Sequence, residues 1–217
     1  MDDLKPLELA IRIPALLLAL TVHEFAHAYS AFRLGDPTAY RLGRCTLNPL
    51  RHLDPLGAIC LLFAPIGWAK PVPVNPLNFN NPGRDDMLVS LAGPVSNLMQ
   101  ALFFALILRL VNGQAELIRT YAGPYGFTAA FLFCYVAVLI NCGLAVFNLV
   151  PLFPLDGFHV FGNVVTGPSR QRFFEMAPYG PYLIIGLVLL SRTPADPLGR
   201  VMGPVQSFFL FRVGGLG

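Results

Sequence analysis

An all-α polytopic membrane protein is predicted, a helical bundle of about four to six membrane segments with one short re-entrant hairpin or extended segment. Three observations predict it. Of the 217 residues, 55% are hydrophobic and only 12% are charged, against about 25% charged in an ordinary soluble domain. Long stretches of the chain carry no formal charge. Those stretches are separated by Pro, Gly and Asn clusters rather than by strand-like alternation. A soluble domain of this length leaves roughly a third of its surface exposed, too much to hide this apolar content from water. The length suits a single domain.

The first apolar segment covers residues 7–34. Between Ile13 and Phe32 its only formal charge is Glu24, and Gly35-Asp36-Pro37 reads as the stop. Asp2 and Asp3 ahead of Lys5 do not form the basic leader of a signal peptide. Residues 55–82 are rich in Pro, Gly and Asn, and the spaced prolines exclude a continuous helix. The alternation Pro71-Val72-Pro73-Val74 reads as extended chain, so this segment is expected to dip towards the membrane as the re-entrant element.

A second span is placed at 87–110, with Met87 to Leu108 free of charge and Gly93-Pro94 and Ser96-Asn97 inside it. Small and polar residues in a span pack or hydrogen-bond against other helices. A polar link is expected from Val111 to Gly126, and a third span at 127–150. Residues 151–166 form a proline-broken stretch and a short helix starting near Asp156. A candidate fourth span lies at 176–192, and 195–217 reads as an interfacial tail.

Arg41, Arg44, Arg51, Lys70 and Arg84 lie between the first two spans, whereas Arg119 is the lone basic residue between spans two and three. The positive-inside rule therefore places the first link and residues 157–175 in the cytoplasm. A multi-pass protein of the cell membrane follows, with its site opening to the cytoplasm. No run of five like charges exists, which argues against nucleic acid as a partner. Cys45, Cys60, Cys134 and Cys142 form no CxxC pair and read as small buried hydrophobes.

The first span contains His23-Glu24-Phe25-Ala26-His27, an HExxH pattern. Residues four apart share a helix face, so both imidazoles aim at one point with Glu24 alongside. Two nitrogen ligands and a carboxylate that takes a proton from water are the parts of a zinc hydrolase. HExxH by itself also arises by chance. Three ionisable residues within five positions of a membrane span do not read as core filler.

A catalytic zinc takes three protein ligands and one open position. Asp156, at the end of the uncharged stretch Thr120 to Leu155, is the favoured third ligand; its bland role is helix capping. His159, three residues on, is expected to hydrogen-bond behind a ligand or line the polar rim rather than act as a fourth ligand, which would close the site. His52, beside Asp54 and Pro55, is structural or substrate-facing. Asn148 either donates to an oxyanion or packs and caps its helix.

These pieces, in this order, resemble the site-2 protease family of intramembrane zinc metalloproteases. The resemblance runs over residues 20–160. It rests on His23 to His27, His52-Leu53-Asp54-Pro55-Leu56-Gly57, the Gly67-to-Pro76 stretch, Ala92-Gly93-Pro94-Val95-Ser96-Asn97, and Asn148 to Gly157 with its Asp156-Gly157 pair. It implies one zinc ion per chain held by His23, His27 and Asp156, with Glu24 as base. It also implies transmembrane protein substrates within the lipid bilayer, Asn148 near the scissile carbonyl, and Pro55 to Pro82 presenting the substrate as an extended strand. The chain resembles a minimal member without PDZ or CBS domains. Two other readings stay open on the residues: a polytopic metal transporter, and a non-catalytic zinc-binding scaffold.

Overall fold

The computed structural model describes residues 4–54 and 69–217. Helices dominate them: α1 (Leu4–Arg33), α2 (Thr38–Arg41), α3 (Pro82–Gly113), α4 (Ala115–Asn148), α5 (Asp156–Val164), α6 (Pro168–Glu175), α7 (Gly180–Leu190) and α8 (Pro197–Ser207). A π-helical turn, Phe208–Val213, follows α8, and short 3₁₀ turns occur at Pro49–Arg51, Pro76–Asn78 and Ala177–Tyr179. Among the described residues the nearest thing to a sheet is a single antiparallel bridge between Leu53 and Ala69. The protein is all-α and crosses the membrane several times. Four helical stretches are long and apolar enough to do so: Leu9–Arg33, Pro82–Gly113, Ala115–Asn148 and Pro168–Leu190.

The link expected from Val111 to Gly126 is largely helical. α3 runs to Gly113 and α4 begins at Ala115. The polar residues Glu116 and Arg119 are good helix formers, and polarity alone does not break a helix. Beyond the turn at Gln114, the helix is interrupted at Gly123, φ +72°, just before Pro124. A positive φ is cheap for glycine alone, and proline removes the next hydrogen bond.

The chain divides into two compact units. One comprises residues 1–19, 97–147 and 187–217. Its core sets Ala15, Ala101, Ala105 and Ala137 among Phe104, Leu108, Val138, Cys134, Cys142 and Leu210. Alanines let helix backbones approach closely, which is how helices associate when lipid removes the hydrophobic drive between them. A buried amide pair adds direction: Asn97 Nδ2 donates to Asn141 Oδ1 at 2.8 Å, and Asn141 Nδ2 donates to the Ala137 carbonyl at 2.9 Å.

The other unit comprises residues 20–96 and 148–186. Asp36, fully buried, organises its polar half. Its carboxylate accepts from Thr38 N at 3.0 Å, from the Thr38 hydroxyl, from Asn75 N at 2.7 Å and from Asn78 Nδ2 at 2.6 Å. Burial pushes this carboxyl up, but the four donors outweigh it and hold Asp36 below the usual carboxylate range. Gly35, φ +110°, makes the turn out of α1, where a Cβ would lie 3.1 Å from the Asn78 carbonyl. Asp36 therefore ties the end of α1 to the extended stretch ahead of α3. Lys70 N donates to the His52 carbonyl at 2.8 Å beside the Leu53–Ala69 bridge. Residues 55–68 of the expected re-entrant segment lie outside the described residues.

Candidate metal centre

The centre lies within the second unit, built from the later half of α1, the first half of α3 and α5. The 100° turn per residue puts His23 and His27 on one stripe of α1 with Glu24 at its flank, and all three side chains are buried. α5 is nine residues long and starts at Asp156. Leu155, not Asp156, occupies the N-cap position, and the Asp156 carboxylate turns to the imidazoles. His23 Nε2 lies 3.3 Å from Asp156 Oδ2, His27 Nε2 lies 3.3 Å from Oδ1, and the two Nε2 atoms are 3.0 Å apart. Among the described residues, this is the group of His, Cys, Asp and Glu side chains whose ligand atoms converge closely enough for one metal ion.

The donors fit zinc. Tetrahedral ligands about 2.0–2.1 Å from the ion stand about 3.3 Å from one another, close to the three separations here. His27 Nδ1 is 2.7 Å from the Val89 carbonyl. A carbonyl only accepts, so Nδ1 carries the proton and Nε2 presents a lone pair to the centre. The buried Glu24 Oε2 has no hydrogen-bond partner among the described residues, and Asp156 Oδ2 faces only the His23 nitrogen 3.3 Å away. Buried anionic oxygens need a donor or a cation, and a divalent ion and its water supply both.

Glycines make the approach feasible. Gly93 of α3 packs against both imidazoles: a Cβ there would sit 2.5 Å from His23 Cε1 and 2.6 Å from His27 Cε1, and nearer still to His27 Nε2. Gly157 serves the chain break before α5, since a Cβ would overlap the Leu149 and Val150 carbonyls. Sequence reasoning placed Gly93 as a packing residue of the second span. Its contact with both histidines depends on a register between segments some 70 residues apart, which pattern does not encode.

Asn148 is the last residue of α4. His159 sits one turn beyond Asp156 on α5, with Nδ1 3.2 Å from Asp86 Oδ2, and this hydrogen bond holds the imidazole above its ordinary range. His52 stands apart from the centre: it is buried and its Nε2 lies 2.7 Å from the Thr46 carbonyl, within the link that follows α1.

The family described as Peptidase family M50 matches residues 11–190. Three relatives carry the description "putative zinc metalloprotease". YwhC of Bacillus subtilis is 41% identical over 186 residues, 85% of this chain and 80% of the relative. Rip2 of Mycolicibacterium smegmatis is 32% identical over 203 residues, 89% of this chain and 73% of the relative. Rip2 of Mycobacterium tuberculosis H37Rv is 32% identical over 184 residues, 82% of this chain and 65% of the relative. No solved structure matches the chain at a significant level.

Proposed function

The chain belongs to peptidase family M50, and from that membership we propose that it is an intramembrane zinc metalloprotease that cuts transmembrane protein substrates. His23, His27 and Asp156 would hold one zinc ion, which when bound supplies a Lewis acid for the attacked carbonyl and for an attacking water. Glu24 takes the proton from that water as it attacks the peptide carbonyl. It then delivers the proton to the leaving nitrogen as the C–N bond breaks, giving a new carboxylate and a new amine. Asn148 donates its amide hydrogen to the developing oxyanion.

Glu24 carries this reading. Its carboxylate is buried next to His23, and one oxygen lacks any hydrogen-bond partner among the described residues. A metal clamp or a transport site needs ligands but not an uncommitted carboxylate beside them. The segment from Pro55 to Pro82 presents the substrate, locally unwound, as an extended strand. By the distribution of basic residues, the site opens to the cytoplasmic face of the cell membrane.

The test is cleavage in proteoliposomes of a single-span substrate, with the cut mapped by mass spectrometry. The proposal expects a cut within the apolar segment and a rate about 100-fold or more lower for Glu24→Gln. Cuts confined to the soluble flanks, or full activity in Glu24→Gln, would refute it.

A further inference from the structure

The converging ligands account for the first turn of α5 but not for its second and third. Asp156, His159 and Asn163 follow the spacing i, i+3, i+7 and share one stripe of that helix. On α3, Asp86, Val89 and Gly93 share a stripe with the same spacing. At one end of the paired stripes, Asp86 Oδ2 accepts from Asn163 Nδ2 at 2.7 Å and lies 3.2 Å from His159 Nδ1. At the other end, Gly93 packs on the imidazoles that face Asp156, and Val89 holds His27 through its carbonyl. Seven residues of helix span about 10 Å, so the two stripes match in length.

The neighbouring acid behaves differently. Asp85 Oδ2 accepts from Asn81 N at 3.0 Å and so caps its own helix. Asp86 reaches across to another. Asn163 is itself fixed, donating also to the His159 carbonyl at 2.9 Å and accepting from Arg170 at 3.1 Å. The opposite side of α5 is seated by Phe158, whose ring lies 4.9 Å from that of Phe173 and 5.4 Å from that of Phe174. Apolar packing keeps the helix in place but is not directional; hydrogen bonds to a single oxygen set its rotation and its position along the axis.

We propose that Asp86 is a positioning residue for the metal centre: by clamping His159 and Asn163 it sets the rotation and axial position of α5 and holds the Asp156 carboxylate against His23 and His27. This rests on the reading of His23, His27 and Asp156 as the ligands. Asp86 is not among the three converging ligand groups. Its effect passes through α5, which distinguishes it from an acid that merely offsets the helix dipole in the first turns of α3.

The experiment is a zinc competition titration against a chromogenic chelator, with full-length protein stripped of metal in detergent. Asp86→Ala is expected to weaken zinc binding at least about tenfold, within the 10–100-fold range for lost outer-shell partners. Asp86→Asn, which keeps an acceptor oxygen for Asn163, is expected to recover most of the loss. The double variant His159→Ala with Asn163→Ala is expected to match Asp86→Ala, and adding Asp86→Ala to it is expected to change affinity less than about twofold, because the clamp is already gone.

Binding by Asp86→Ala within twofold of wild type would overturn the proposal. So would an undiminished effect of Asp86→Ala in the double-variant background. Should Asp86→Ala not fold, the His159→Ala, Asn163→Ala variant carries the test, and wild-type affinity there would overturn it. Wild-type protein that binds no zinc would instead overturn the ligand assignment, and this proposal with it.

Discussion

Replacing Gly93 by alanine adds a single methyl group at the point where α3 meets both histidines. An ideal Cβ would stand 2.5 Å from His23 Cε1 and 2.6 Å from His27 Cε1. Carbon atoms rest at about 3.5–4.0 Å, so each ring, or α3 itself, must retreat by about 1 Å. His27 cannot move alone, because its Nδ1 is held by the carbonyl of Val89 on that same helix. Overpacking of this kind costs about 1–3 kcal/mol. If the strain falls on the metal-binding arrangement, it corresponds to about a 5- to 150-fold loss of zinc affinity at 1.4 kcal/mol per factor of ten. Chelator competition on the stripped protein reads this directly, with helical content by circular dichroism as the folding control. Zinc binding by a folded Gly93→Ala variant within twofold of wild type would refute the reasoning, since the methyl group would then have found room without displacing a ligand.

Two further outcomes follow from the same geometry. Asp36 is held below the usual carboxylate range, so its contribution to stability is present above its ordinary value, near pH 4, and is lost as the pH falls through the lowered value. Limited proteolysis of residues 69–78 is therefore expected to rise below about pH 4 in the wild type, whereas Asp36→Asn is susceptible already at neutral pH; a wild-type pattern in Asp36→Asn would contradict this. In the first unit, a double-mutant cycle on Asn97→Ala and Asn141→Ala is expected to give a coupling of about 0.6–1.7 kcal/mol, the range for hydrogen bonds between membrane helices, and additive effects would show that the amide pair is not coupled.

The fold class and the converging residues were legible for definite reasons. A membrane span announces itself by an uncharged run, and HExxH carries its own geometry because i and i+4 share a face. Asp156 stood out as a lone carboxylate after 36 uncharged residues, counted from Thr120 to Leu155. What escaped the sequence depends on distant register. Asp36 read as part of a helix stop, yet its partners Asn75 and Asn78 lie 39 and 42 positions away. Asp86 lies just ahead of the uncharged run from Met87, and its partners are 73 and 77 positions away. The helical stretch Ala115–Ala122 was taken for a link because it is polar, although its residues favour helix and only Gly123-Pro124 interrupts. Local patterns report faces and spans; they do not report which faces meet.

The proposed site would do two separable things, holding zinc and activating water. Zinc content and cleavage of a single-span substrate, measured on the same preparations of wild type, His23→Ala and Glu24→Gln, separate them. The prediction is zinc at one per chain in wild type and Glu24→Gln, little in His23→Ala, and cleavage by wild type alone. Cleavage by Glu24→Gln at the wild-type rate, or full zinc in His23→Ala, would contradict it.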